Sequence, residues 1–277
     1  MRVSFSEPTV RTGEDPTLQV GDFDRIDTTD DPGRYVTWMD RQRGSQRDRA
    51  LVELDLHSSD VVLDVGCGTG VDLDGIAASA RVAVGLDLST TMAVTARSRA
   101  PDAVVVVADA QRIPTADAVF NACWARAVLI HTPHPEEAVR EMARVLKPGG
   151  RLVLSEPDHG SHIVSTDVPD VFERIKRHRQ TKFLHPLIGR RLSDLVVRAD
   201  LTVVKTWATP VVHTSLSSAR ASGGPFDRAI ADAVAEGTIT KHEAGDYSAS
   251  LVEADQHGRF VFAALAISVA AIKPDRP

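Results

Sequence analysis

Three aspartates close three successive apolar runs, and a glycine-rich turn lies among them. VVLDV (61–65) carries Asp64 into Gly66, Gly68 and Gly70, VGLDLS carries Asp87, and AVVVVA runs into ADAQ with Asp109. Glycine at a strand-to-helix turn lets the backbone approach a ligand closely and leaves the next helix N-terminus facing it. Asp87, seventeen residues beyond Gly70, is placed to accept both ribose hydroxyls of a nucleoside. Asp109 is poised to accept from an adenine amino group. A single strand-terminal aspartate is usually a turn former or a helix cap. Three around one glycine turn point to a nucleoside site. The spacing G-x-G-x-G departs from the dinucleotide fingerprint G-x-G-x-x-G, which disfavours an NAD-dependent oxidoreductase.

The elements that must hold these residues alternate along the chain. Strands are predicted at 61–65, 82–87, 103–108, 118–124 and 151–156, with helices near 72–80 and 90–99 between them. The clearest helix begins at Pro135. Glu136 and Glu137 face its positive end, and Ala138, Val139, Met142, Val145 and Leu146 form its apolar stripe. Lys147 is expected at its negative end, with Pro148-Gly149-Gly150 stopping it. Short, nearly all-apolar strands separated by helices mean a parallel sheet covered on both faces. Beyond Glu156 two helical insertions are expected, at about 158–190 and 215–257, where a substrate cavity would be built. A strand at 201–212 lies between them, and a long β-rich segment, 258–272, closes the chain.

Residues 1–33 differ from the rest. They hold eight acidic and three basic residues and no sustained apolar period, which suits a mobile arm or lid. Residues 34–277 read as the globular domain. The 277 residues are 43% hydrophobic and 25% charged, with a net charge of −6, as in ordinary globular proteins. A pI near 5.9 argues against nucleic acid as the main partner. Two cysteines, Cys67 and Cys123, exclude a disulfide scaffold and suit a cytoplasmic protein. No run of ~18 apolar residues offers an integral membrane segment, and the opening MRVSFSEPTVRTGEDP lacks the apolar core of a signal peptide.

Other residues have two readings each. His131 and His134, in HTPHP, lack partners at metal-ligand spacing, so no metal site is expected. His131 follows the fourth strand at the mouth of the expected pocket and is the candidate catalytic base, or else anchors its loop. Trp124 is either core or substrate wall. Glu156, Asp158 and His159 either meet the substrate or cap the turn after the fifth strand. Residues 174–191 hold seven Lys and Arg, a solvated face or an attractor for an anionic substrate or lipid headgroup.

Taken together, LDVGCGTG, GLDLS, ADAQRIP and REMARVLKPGGRLVL resemble the successive motifs of class I S-adenosylmethionine-dependent methyltransferases, over about residues 50–156. The nearest branch is similar to ubiquinone/menaquinone-type and secondary-metabolite enzymes, and HPLIGRRLSDLVVRADL (185–201) resembles a segment of that branch. AVFNACW departs from it, with Phe120-Asn121 where the branch usually has Phe-Asp. The resemblance implies an α/β, Rossmann-like, seven-stranded, mostly parallel sheet with its last strand antiparallel and helical cap insertions. S-adenosyl-L-methionine would be the cofactor and S-adenosyl-L-homocysteine its product. Backbone at Gly66, Cys67 and Gly68 would meet the methionine part, and Asp87 the ribose. Leu88 and Met92 would flank the adenine, with Asp109, Ala110 and Gln111 on its edge. Backbone at Ala125 and Arg126 would meet the methionine amine, Asp64 would orient the loop and the ammonium group, and Tyr35 would reach the carboxylate.

The expected activity is methyl transfer to a small organic acceptor, in secondary metabolism, by in-line displacement with His131 as a base. The alternatives are an enzyme that binds the same cofactor for a reaction other than methylation, and a non-catalytic regulator that binds it. The sequence leaves the acceptor atom open, and likewise the assembly, for which a homodimer is one option.

Overall fold

Runs of Val, Leu and Ala build the strands. The computed structural model describes residues 51–221 and 224–275, so Tyr35 and the arm 1–33 lie outside the described residues. In β1 (Val61–Val65) every residue is buried. It is followed by α1 (Val71–Ala77), β2 (Val82–Asp87), α2 (Thr90–Arg99), β3 (Val104–Val107) and β4 (Phe120–Arg126). Then come α3 (Pro135–Val145), β5 (Leu146–Val164), α4 (Pro169–Gln180), α5 (Leu192–Arg198), β6 (Thr202–His213), α6 (Leu216–Ala221), α7 (Asp227–Ala235), α8 (Lys241–Gln256) and β7 (Phe262–Ile272). The seven strands form one sheet in the order β3-β2-β1-β4-β5-β7-β6. The first five in that row are parallel, and β7 runs antiparallel to both its neighbours, β5 and β6.

The sheet separates two cores. Leu63, Val65, Phe120, Val139, Met142 and Leu195 pack on the α3/α5 face; Val62, Leu73, Ile76, Ala96 and Trp124 pack on the α1/α2 face. Asn121, the departure from the family pattern, has a local reason. Its Oδ1 accepts from Val61 N at 3.0 Å and from Lys147 Nζ at 2.8 Å, tying the starts of β1, β4 and β5 together.

Two sequence expectations change here. The fifth strand is far longer than 151–156, because β7 pairs with it on both sides of a bulge between Asp158 and Ile163. Nor does Lys147 stand at the negative end of α3. That place is taken by Lys273, just beyond β7, whose Nζ donates to Ala143 O and Leu146 O at 2.8 Å and to Arg144 O at 3.4 Å. A cation there satisfies carbonyls that no helical N–H reaches. Lys273→Met keeps the apolar stem and removes those bonds. We expect it to cost about 1–2 kcal/mol in denaturant unfolding; an unchanged midpoint would show the ammonium to be idle.

The two insertions meet in a core of their own. Phe172 and Ile175 of α4 join Leu216, Ala233, Tyr247, Leu251, Phe260 and Phe262. The last helix of this cap, α8, starts with a capping box: Thr240 Oγ1 accepts from Glu243 N at 3.2 Å, and Glu243 Oε2 accepts from Thr240 N at 2.7 Å.

Candidate active site

The glycine turn has the backbone that its sequence requires. Gly66, Gly68 and Gly70 have φ of 67°, 53° and 77°, a region that costs other L-residues strain. Space matters as well. A Cβ on Gly70 would sit 2.9 Å from the Cα of Ala96 in α2, and one on Gly66 would collide with Cγ2 of Val128. The turn is therefore pressed between α2 and the segment that follows β4.

Asp87 holds this turn. Its Oδ2 accepts from Gly68 N at 2.7 Å and its Oδ1 from Ser89 N at 2.9 Å. Leu88, next in the chain, is 56% exposed, an apolar side chain held out beside the turn. Met92 is buried in α2 instead, and its N–H donates to Ser89 Oγ at 3.2 Å.

Asp64 is 2% exposed, one residue before the end of β1. Burial, then the charges of Asp64 and Asp87, push the Cys67 thiol far above its ordinary range, so it stays protonated. The turn thus has two carboxylates beside it. A sulfonium or ammonium group complements it, whereas the pyrophosphate of a dinucleotide would be repelled.

Asp109 and Gln111 form one unit just past β3. Asp109 Oδ1 accepts from Gln111 N at 2.8 Å, and Gln111 Nε2 donates to Asp109 Oδ2 at 3.0 Å. Gln111 Oε1 accepts from His134 N at 2.8 Å, which fixes the start of α3. Ala110 is buried between them. At the end of β4, Ala125 is fully buried, and Arg126 Nε donates to Asp72 Oδ2 at 2.9 Å. Trp124 is placed in the core, with its Nε1 donating to the same Asp72 oxygen at 3.2 Å.

Glu156 and Asp158 are both buried braces. Glu156 Oε1 accepts from Val128 N at 2.9 Å and Leu129 N at 2.8 Å, and Oε2 from Ile130 N at 3.3 Å. It sets the turn that carries His131. Asp158 Oδ1 accepts from Gly160 N at 2.8 Å, and Arg190 Nε donates to Asp158 Oδ2 at 2.8 Å. His159 and His131 meet through Phe183. The His159 ring stacks on Phe183 with centroids 4.2 Å apart, and His131 lies 5.7 Å from the same ring. Burial lowers the His131 pKa to about 3, so it is neutral at pH 7 with a weakened appetite for a proton. Among the described residues no three His, Cys, Asp or Glu side chains converge to hold a metal ion.

The strand ends therefore bring together Asp64, Gly66, Cys67, Gly68, Asp87, Leu88, Asp109, Ala110 and Gln111. The turn 127–131 carries His131, which meets Phe183 and through it His159. Sequence reading missed Phe183 and Asp72. Neither lies in a motif, and only the fold brings them to this edge.

A glycine turn braced by an aspartate, at the carboxyl edge of a sheet in this order, defines a Rossmann-like methyltransferase fold. The family described as "Methyltransferase domain" matches residues 63–154. An uncharacterized 37.1 kDa protein in transposon TN4556 of Streptomyces fradiae is 34% identical over 195 residues, 67% of this chain and 52% of that protein. The 27-O-demethylrifamycin SV methyltransferase of Amycolatopsis mediterranei is 38% identical over 116 residues, 39% of this chain and 43% of that enzyme. Among solved structures, the YcgJ protein of Bacillus subtilis shares the fold with a TM-score of 0.58 at 20% identity, over 82% of this chain and 97% of that one. The chain spans about half the length of the curated relatives it matches. Residues 63–154 carry a methyltransferase domain.

Proposed function

We propose that this chain transfers a methyl group from S-adenosylmethionine to a small organic acceptor, in secondary metabolism. The observation that carries the reading is the positive-φ glycine turn tied to Asp87 through Gly68 N at 2.7 Å. The relative named for a demethylrifamycin acceptor supports the substrate class. The proposal includes a cytoplasmic protein, in keeping with two free buried thiols.

When bound, S-adenosylmethionine supplies an electrophilic methyl group. The chain's own residues position, orient and exclude water. Asp87 and the turn backbone hold the ribose and methionine parts. Leu88, Asp109, Ala110 and Gln111 flank the base, Asp64 attracts the cationic groups, and Ala125 and Arg126 offer backbone at the amine. Fixing both reactants in line supplies much of the rate, and the cap keeps water away. Tyr35, outside the described residues, is proposed for the methionine carboxylate. Calorimetry with S-adenosylhomocysteine, followed by its release from S-adenosylmethionine with a panel of acceptors, tests the reading. Failure to bind at millimolar concentration would sink it.

His131 is proposed at the acceptor. His131→Ala should lower kcat by roughly 10²-fold with cofactor affinity unchanged. Because burial holds its pKa near 3, the pH–rate profile should show no break from this residue near 6.5. Glutamine keeps a hydrogen bond and cannot take the proton. Near-normal turnover in His131→Gln would assign positioning, and turnover as low as in His131→Ala would assign the base.

A further inference from the structure

Small side chains lie between rings on one face of the distal sheet. β7 sets Phe262, Ala264 and Ala266 on that face, and the register places His213, Val211 and Thr209 of β6 opposite them. Pro157 of β5 flanks Ala266 on the other side. Trp207, two residues before Thr209, joins the α1/α2 core, whereas α5 packs on the opposite face against Val269 and Ala271. Ala264, Ala266, Val211, Thr209 and Pro157 are half-buried. They make a floor about 20 Å long between Trp207 and His213, at ~3.3 Å per residue.

Three ring nitrogens on this face have no hydrogen-bond partner among the described residues. They are Nε1 of Trp207, Nε2 of His213 and Nδ1 of His162. Trp207 is 9% exposed and His162 is 6% exposed. A buried polar nitrogen without a partner is costly unless something else completes it. Two of the three share one neighbour: the rings of His162 on β5 and His213 on β6 lie 5.4 Å and 6.0 Å from that of Phe262 on the strand between them. His213 is held by its other nitrogen, Nδ1, which meets Ser218 Oγ at 2.7 Å.

Burial lowers the pKa of both imidazoles, that of His162 to about 3, so each is neutral at pH 7. The charged groups that act on His162 are Arg179, Lys176 and Asp158. All three are already engaged, with His159, Glu173 and Arg190. A neutral imidazole donates from one nitrogen and accepts at the other, which suits an uncharged oxygen. An ion would leave water for a floor of alanine and proline carbon, at heavy cost.

A row of rings joins this floor to the proposed reaction site. Gly66 lies against Val128, whose turn ends in His131. From there the row runs through Phe183, His159 and His162 to Phe262, with successive centroids 5.7, 4.2, 5.3 and 5.4 Å apart. Resting on the methyltransferase reading above, we propose that His162 and His213, with the floor between them and Trp207, form the acceptor subsite, so that the methyl acceptor is an uncharged molecule with an apolar frame and hydroxyl or carbonyl oxygens.

The test uses probes of one shape on the full chain saturated with S-adenosylhomocysteine. p-Cresol, p-xylene and p-toluate are titrated by calorimetry. p-Cresol is expected to bind ten-fold or more tightly than p-xylene, and more tightly than p-toluate. His162→Phe and His213→Phe keep a ring and remove the unmet nitrogen. Each should erase most of the preference for p-cresol, with S-adenosylhomocysteine affinity retained and the denaturant midpoint unchanged or raised. A histidine kept for the fold would lower that midpoint instead. In ¹⁵N spectra of the wild type, p-cresol should shift the ring nitrogens of His162 and His213. Equal binding of p-cresol and p-xylene, tighter binding of p-toluate, or no binding of p-cresol overturns the subsite while leaving the cofactor reading intact. Failure to bind S-adenosylhomocysteine in the first titration strikes the methyltransferase reading instead.

Discussion

Asp87→Ala is expected to weaken S-adenosylhomocysteine binding by roughly 30- to 1,000-fold, about 2–4 kcal/mol. Two losses combine. The charged acceptor proposed for the ribose hydroxyls disappears. The turn also loses its brace, because Oδ2 accepts from Gly68 N at 2.7 Å and Oδ1 from Ser89 N at 2.9 Å. Turnover at saturating cofactor should change much less, since the place proposed for the carboxylate is at the nucleoside and not at the reacting atoms. Asp87→Asn is the sharper probe. An amide keeps one acceptor and sets an NH₂ group against a backbone N–H, so it should bind nearly as poorly as alanine. Calorimetry giving an unchanged dissociation constant for Asp87→Ala would remove Asp87 from the site.

Glu156→Ala should be the most damaging change to the fold around His131. It leaves the N–H groups of Val128, Leu129 and Ile130 without their acceptor. A buried unsatisfied donor costs ~1–3 kcal/mol, so a loss of about 3 kcal/mol or more is expected in denaturant unfolding. The pH dependence carries its own signature. Burial pushes the Glu156 carboxyl from 4.5 up to about 7, against the pull of those three N–H groups and of Arg126. With the folded pKa raised, the folded protein binds the proton more tightly than the unfolded chain does between those values. The stability this group adds is complete below about pH 4.5 and declines as pH rises through about 7, by about 3 kcal/mol. Glu156→Gln resembles the protonated form and should flatten that decline. A wild-type slope that Glu156→Gln leaves intact would contradict this account.

Much of the nucleotide half was legible because its determinants are local. Gly66, Gly68 and Gly70 must adopt positive φ wherever a strand turns this tightly into a helix, and that requirement is written in residue type. The bounds Val61–Val65, Val82–Asp87 and Thr90–Arg99 follow from apolar runs and a Ser89 cap. Asp87 sits at a strand end by its place in the chain. The braces were not legible in this way. Lys147 is close in sequence to the end of α3, yet Lys273 fills that place, because β7 returns antiparallel along β5 and delivers it there. No periodicity within either segment carries that pairing.

Residue type alone determined, for this protein, a parallel sheet with a glycine turn and acidic strand ends, since steric freedom and burial act over a few residues. Tertiary structure decided which buried polar groups serve as braces. Trp124 and Glu156 both carry types that suit a pocket wall, and the fold turns one into the core and gives the other three N–H groups. His131, Phe183, His159 and Arg179 span just over fifty residues and meet only because the cap folds back over the strand ends. Hydrogen-bond satisfaction and desolvation depend on what surrounds a group on every side, and that is a property of the packed chain, not of any stretch of it.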